Sequence, residues 1–272
     1  MTTTQTFDTL ASTYDVDFTD TLIGRYLRRR VHSRIDQYFK PGDSVLELGC
    51  GTGEDALYLA ERGVRVTATD ASEAMLALVR DKTRAHPRVR VVRFDLHNLT
   101  PPPTPLPVNG EGEKSKNTFD GAFANFGPLN VLDDWRPLAA WLAERIKPGG
   151  VIAFGVMSPY CLWEVGWHSL HGDFKTATRR LRKRASFQPG DSTPLAIHYP
   201  TIRRLTRDFA PHFKRTYIAG LGLFLPPSDV YGVIEKRPRL LRMLTWLEER
   251  FAHLGFLAPF ADHYWIEFER MV

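Results

Sequence analysis

One short run, Val45-Leu46-Glu47-Leu48-Gly49-Cys50-Gly51-Thr52-Gly53, holds a carboxylate and three alternate glycines. Val45 to Leu48 reads as the end of a buried strand, and Glu54 to Arg62 beyond the glycines has helical spacing. A strand that breaks on glycines into a helix lets the backbone approach a nucleotide-like ligand, because glycine has no Cβ in the way and accepts positive φ. The spacing restricts the ligand. A dinucleotide fingerprint wants Gly-x-Gly-x-x-Gly/Ala, yet Glu54 stands at the third site and the extra glycine comes early, at Gly53. No Lys-Ser or Lys-Thr closes the loop as a P-loop requires. Glu47 would repel a pyrophosphate, whereas it suits a ligand carrying an ammonium or sulfonium group.

The next β-rich run, Val64 to Thr69, ends on Asp70. An acid at the tip of the second strand, about 20 residues past the glycine turn, accepts hydrogen bonds from ribose hydroxyls, so Asp70 marks a ribose without choosing between NAD and adenosine cofactors. Ser72 can cap a helix with Met75, Leu78 and Val79 at helical spacing. Met75 suits either packing on an adenine face or the core of that helix.

Together Glu47-Leu48-Gly49-Cys50-Gly51-Thr52-Gly53, Asp70, Asp95-Leu96, Phe119 to Phe126 and Ile146-Lys147-Pro148-Gly149-Gly150 resemble, in order, the motifs of class I S-adenosylmethionine-dependent methyltransferases of the small-molecule type. The resemblance covers roughly residues 8 to 157 and returns at the last strand. It implies an α/β, doubly wound, Rossmann-like sheet of seven strands with the last strand antiparallel, and S-adenosylmethionine as cofactor, with S-adenosylhomocysteine as its product. By the same resemblance Gly49 and Gly51 admit the methionine part, beside Glu47. Asp70 holds the ribose hydroxyls with Ala71 beside them. Asp95 accepts from the adenine amino group, and Leu96 donates a backbone N–H to the ring. Asn125 and Phe126, ending the fourth strand, face the transferable methyl. Tyr14, in Ala11-Ser12-Thr13-Tyr14-Asp15, resembles a tyrosine folded over the cofactor from an N-terminal helix; ordinary packing of a terminal segment is the alternative.

At 272 residues the expectation is one domain with insertions rather than two independent domains. Met1 to Gln5 is polar and lacks the apolar core of a signal peptide, and no apolar run is long enough to span a bilayer. Cys50 and Cys161 have no metal-ligand spacing, so a reduced, cytoplasmic setting without a bound metal is expected. The net charge of +5 raises nucleic acid as a partner. Two basic clusters contribute, Arg25 with Arg28-Arg29-Arg30, and Arg179-Arg180 with Arg182-Lys183-Arg184. The first suits a solvated helix face or a phosphate-binding surface; the second could contact an anionic acceptor.

Residues 1–40 are expected to form an N-terminal helical cap, ended by Pro41-Gly42. Strands and helices then alternate to Val156, which argues for a parallel sheet. The proline-rich interval 99–118 interrupts them as an exposed loop. Asp133 or Asp134 can cap a helix carrying Trp135, Leu138, Ala139, Leu142 and Ile146, and Val151 to Met157 reads as the fifth strand. Residues 158–211 and 226–257 are two insertions on the side where such sheets bind ligands, and together they suit a helical, aromatic lid over an acceptor pocket. Phe213 to Ile218 and His263 to Glu269 are the expected last strands.

Methyl transfer from a sulfonium is an in-line displacement in which the protein supplies position and dryness, with a base needed only when the acceptor must lose a proton. His168, His171, His198, Glu164 and Tyr199 are candidates. His198-Tyr199 comes first, since Pro200 fixes its backbone. Tyr160, Trp163 and Trp167 could line an aromatic pocket. Asn125-Phe126-Gly127-Pro128 departs from the Asn/Asp-Pro-Pro-Tyr/Phe pattern associated with methylation of planar amino nitrogens in DNA and some proteins, which argues against nucleic acid. The expected function is methyl transfer to a small, aromatic or amphipathic acceptor. An RNA methyltransferase and a non-catalytic S-adenosylmethionine-binding protein are the alternatives.

Overall fold

The computed structural model describes residues 7–106, 118–182, 184–188 and 194–272. Asn109 to Lys116, the glycine- and charge-rich half of the interval read as a loop, and Lys183 of the second basic cluster lie outside the described residues.

A short π-helical turn, Asp15–Thr19, leads into α1 (Leu22–Tyr38), capped by the Thr21 hydroxyl, which accepts from the Gly24 N–H. Then follow β1 (Ser44–Leu48), α2 (Glu54–Glu61), β2 (Arg65–Asp70), α3 (Glu73–Lys82), β3 (Val89–Arg93), β4 (Phe119–Ala124), α4 (Arg136–Ala143) and β5 (Ile146–Met157). The later part holds α5 (Leu162–Leu170), α6 (Phe174–Ala177), β6 (Arg184–Phe187), β7 (Leu195–His198), α7 (Ile202–Phe209), β8 (Phe213–Leu221), α8 (Tyr231–Glu235), α9 (Pro238–Phe251) and β9 (His263–Arg270).

Seven strands form one sheet in the order β3-β2-β1-β4-β5-β9-β8. Strands β1 to β5 are parallel, and β9 runs antiparallel between β5 and β8. The sheet is covered on both faces, and successive residues of β1 and β4 are accordingly buried on either side. Trp135, Leu138, Leu142, Phe154, Phe209 and Phe268 pack one side, and Val31, Ile35, Leu59, Leu76, Val79 and Trp265 the other.

The expected doubly wound sheet with an antiparallel last strand is therefore present, with three local differences. Ile146 opens β5 instead of continuing the helix, because it pairs with Phe119 across the sheet. Trp135 rather than either aspartate precedes α4, though Asp134 accepts from the Arg136 N–H at 3.0 Å. The first insertion is not wholly helical: β6 and β7 form a hairpin of their own, and α7 packs its buried Leu205 and Phe209 into the core. Among the described residues no helix is long and apolar enough to cross a membrane.

Candidate active site

The parallel strands deliver their last residues to one edge of the sheet, and β9, running the opposite way, delivers its first residues to the same edge. That edge collects the groups singled out by their chemistry.

Glu47, near the end of β1, is buried, and its Oε2 has no hydrogen-bond partner among the described residues. Burial pushes this carboxyl well above the usual carboxylate range, with Asp55 adding to the shift and Arg28 opposing it. Gly49, Gly51 and Gly53 all have positive φ. An added Cβ at Gly49 would come within 2.5 Å of Pro128, so packing requires that glycine. At Gly51 it would meet nothing within 4 Å, so one side of that turn is open. The Gly51 N–H donates to Asp70 Oδ2 at 3.0 Å and the Ser72 N–H to Oδ1 at 2.9 Å. Burial nonetheless raises Asp70 to about 6. A buried carboxyl without a partner, an open backbone face and a strand-end aspartate fit the methionine and ribose parts of the nucleoside cofactor that the sequence motifs imply.

Behind this turn Asp55 is buried and paired three ways. Arg28 Nη1 lies 2.8 Å from its Oδ2, His32 Nε2 2.7 Å from its Oδ1, and Asn125 Nδ2 donates to Oδ2 at 2.9 Å. Burial opposes the charge, but Arg28 and His32 outweigh it and hold the carboxyl well below its usual range. Asn125 Oδ1 and Arg28 Nε are buried without partners. The Arg28 guanidinium also stands 5.1 Å from the centre of the Phe126 ring.

Phe126 has φ +56°, an uncommon conformation for a bulky residue. Its ring meets Phe18 edge-on at 4.7 Å and His263 at 6.0 Å. Phe18 in turn lies 5.7 Å from Tyr14 and 6.1 Å from Tyr231. Burial pushes the Tyr14 phenol up to about 12, with Arg28, Asp55 and Asp70 as its charged neighbours. Tyr14 thus stands beside the glycine turn and Asp70. Trp163 and Trp167 of α5, together with Ile23, Leu27, Val230 and Leu244, join Phe18 and Phe126 in one apolar cluster. Both insertions and the N-terminal segment therefore wall the space beyond the end of β4.

The other expected residues have these surroundings. Ala71 lies between Asp70 and Ser72 in the turn opening α3. Met75 is 2 % exposed in α3. Asp95 Oδ1 accepts from the His97 N–H at 2.9 Å, inside its own turn, and Leu96 packs half-buried against the core. His198 and Tyr199 point to different surroundings, as neighbours along an extended segment must. The His198 carbonyl accepts from Asn130 Nδ2 at 2.6 Å, and burial lowers the ring's pKa among Asp133, Arg184, Arg204 and His97. Tyr199 is buried beside Arg180, 5.5 Å from its guanidinium. Glu164 is buried between Arg179 (2.5 Å) and Arg180 (3.0 Å), which leaves it no freedom as a base. His168 sits 3.1 Å from Asp229, His171 bonds the Trp167 carbonyl, and Tyr160 is 42 % exposed.

The basic clusters are also used differently. Arg28 enters the site, Arg30 reaches the Glu248 carbonyl at 3.0 Å, and Arg34 grips buried Glu267 at 2.6 Å. Arg179 and Arg180 bind Glu164 inside the first insertion. Part of each cluster is thus internal structure, with Arg28, Arg30, Arg179 and Arg180 paired to the buried carboxylates Asp55, Glu248 and Glu164. One pair had no sequence signal of the kind used here: Asp262 and His263, joined Oδ2 to Nδ1 at 3.0 Å. Only their distant pairing with β5 and β8 places them at this edge. Among the described residues no group of three or more His, Cys, Asp or Glu side chains could hold a metal ion.

Residues 45–150 match the family described as Methyltransferase domain. The demethylmenaquinone methyltransferase of Symbiobacterium thermophilum is 30% identical over 148 residues, covering 53% of this chain and 54% of that protein. The malonyl-[acyl-carrier protein] O-methyltransferase of Serratia marcescens is 30% identical over 178 residues, covering 61% of this chain and 62% of that one. The chain spans little more than half the length of such curated relatives. A chain solved in the complex of the Haloferax volcanii Trm112 methyltransferase activator with a methyltransferase superposes with a TM-score of 0.59 at 15% identity, covering 99% of both chains.

Proposed function

Because the chain belongs to the class I S-adenosylmethionine-dependent methyltransferases, we propose that it transfers a methyl group to a small, aromatic or amphipathic acceptor. S-adenosylmethionine, when bound, supplies the activated methyl on a sulfonium. Glu47 offers its unpartnered Oε2 to the ammonium or sulfonium charge, and Asp70 offers its carboxylate to the ribose hydroxyls. Gly51 provides the open backbone face between them. Asp95 and Leu96 stand for the adenine, and Tyr14 closes over the nucleoside. Asn125 and Phe126 hold the acceptor side of the reacting centre, where the apolar walls exclude water and fix the approach.

The observation that carries this reading is the meeting of Glu47, the open Gly51 turn and Asp70 at the strand edge beneath the Phe18–Phe126 aromatic cluster. That cluster supports the acceptor class, being apolar with a few polar groups nearby, as small-molecule pockets are. The relatives' names point the same way: one methylates demethylmenaquinone, another malonyl-[acyl-carrier protein]. Arg28, Arg179 and Arg180 of the two basic clusters are engaged in internal pairs, which weakens that alternative.

Calorimetry with S-adenosylmethionine and S-adenosylhomocysteine should give one site for each. Incubation of a metabolite extract with the CD3-labelled cofactor should then yield a small molecule heavier by one labelled methyl. Absence of binding would remove the reading. Binding with label transferred only to RNA would move the acceptor class.

A further inference from the structure

We infer that His263 is the base that takes the acceptor's proton, with Asp262 and Arg180 positioning it. This rests on the methyl-transfer reading above and extends it to a residue that no motif marks.

The geometry has three parts. First, Asp262 is fully engaged: Arg180 Nη2 donates to its Oδ1 at 2.7 Å, and His263 Nδ1 lies 3.0 Å from its Oδ2. Arg180 Nη1 also donates to the Asp262 carbonyl at 2.8 Å, and Arg180 Nε donates to Glu164 at 3.0 Å. Burial opposes the Asp262 charge, yet His263 and Arg180 hold its carboxyl well below the usual range. An ionised carboxylate can only accept, so Nδ1 carries the hydrogen and Nε2 keeps its lone pair in the neutral ring.

Second, that Nε2 is buried and has no hydrogen-bond partner among the described residues. A native fold seldom leaves such a group unpaired, so it calls for a partner from outside the described residues.

Third, Nε2 is aimed at the reacting edge. A Cβ added at Gly127 would lie 3.7 Å from it, and the ring stands edge-on to Phe126. Phe126 is the residue whose position the family motif sets beside the transferable methyl. The register Met157↔His263 and Leu221↔His263 anchors the imidazole between two strands. The buried Tyr231 hydroxyl, also unpartnered and with Asp262 the strongest of the charges acting on it, supplies a second polar contact for an acceptor.

A base placed here implies an acceptor that arrives protonated, such as a phenol, enol or alcohol. As its O–H proton moves to His263 Nε2, its oxygen lone pair forms the bond to the methyl carbon. The carbon–sulfur bond breaks with its electron pair kept by sulfur, and the imidazolium is neutralised by Asp262. The other groups near this pair do not compete near neutral pH. Burial pushes Cys161 up to about 12 and raises Tyr199 and Tyr231, while Glu164 and Arg180 remain paired.

The test uses 15N-labelled full-length protein and imidazole NMR. His263 is assigned by its loss in His263→Gln or, should that variant fail to fold, by the one ring perturbed in Asp262→Asn. In the S-adenosylhomocysteine complex the ring should be the Nδ1–H tautomer. Replacing that ligand by S-adenosylmethionine should move its midpoint to lower pH, since the sulfonium would bring a positive charge into the site that Nε2 faces. An equal midpoint in both complexes, or the opposite tautomer, would overturn the inference while leaving the methyl-transfer reading intact. Failure of both ligands to bind in calorimetry would instead remove the reading on which it rests.

Discussion

Thr52 of the glycine turn donates a 2.6 Å hydrogen bond to Asp15, next to Tyr14 on the N-terminal segment. Lys82 of α3 joins the same carboxylate at 2.6 Å. The segment that carries Tyr14 is therefore tied to the turn that would hold the cofactor's amino-acid end, and closing one should order the other.

Asp15→Ala should loosen this tie. The lost bonds are half-exposed, so the cost is about 1 kcal/mol, and cofactor release should quicken about fivefold. Stopped-flow displacement of S-adenosylhomocysteine measures that rate; an unchanged rate would show that the segment does not gate the site.

Cofactor affinity should depend on pH through Asp70. Its carboxyl is raised to about 6, and the ribose needs the ionised form as acceptor. Binding therefore favours deprotonation, and affinity should fall as pH drops through about 6, approaching tenfold per pH unit below it. Calorimetry across pH 5–8 should show proton release at the low end. Asp70→Asn should flatten the profile, and Asp70→Ala should weaken binding by roughly 1–3 kcal/mol.

Two glycines should separate folding from binding. Gly49→Ala meets Pro128 at 2.5 Å and should destabilise the fold, seen as a lower Tm. Gly51→Ala meets no protein atom within 4 Å and should cost only about 1–2 kcal/mol of left-handed strain. Its methyl nevertheless enters the space read as the ligand's, so affinity should fall at least about tenfold, a loss of roughly 1.4 kcal/mol. Similar losses of Tm and of affinity in both variants would contradict the assignment.

Asp55→Ala strands the buried Arg28 charge, whose side chain is 12% exposed. Breaking such a pair costs about 3–5 kcal/mol. Because the folded Asp55 carboxyl is held below its usual range, its contribution is present above the unfolded value near 4 and is lost as pH falls through the folded one. Chemical denaturation at pH 7 and pH 3 should show a large difference between wild type and variant at neutral pH and a smaller one in acid.

His198→Ala should leave cofactor binding unchanged and lower stability by less than about 1 kcal/mol, since its ring lies among Asp133, Arg184, Arg204 and His97 rather than beside Phe126. A large loss of labelled-methyl transfer in this variant would restore it as the base.

Much of the site's frame was legible in the chain. Glu47, the alternate glycines and Asp70 announce themselves because parallel strands must place their last residues at one edge, and because positive φ and open backbone call for glycine. The alternation of strands and helices carried the parallel half of the sheet, while the antiparallel last strand came from the family resemblance. Such local rules reach no further where one position decides a face. His198 and Tyr199 were read together, but alternation along an extended segment sends them to different neighbours. Ile146 fitted a helical spacing until its pairing with Phe119 made it strand.

The amino-acid sequence alone determined the sheet, the glycine turn and the two strand-end carboxylates, since each depends on residue type and spacing within a single element. Tertiary structure decided which charges are spent on structure and which are left for chemistry. Arg28 and Arg180 look like solvated runs until Asp55 and Asp262 claim them. His263 looks like any strand residue until β9, inserted between β5 and β8, carries it to the edge opposite Phe126. Those partners come from remote segments, and only the energy of pairing buried charges across the fold selects among them.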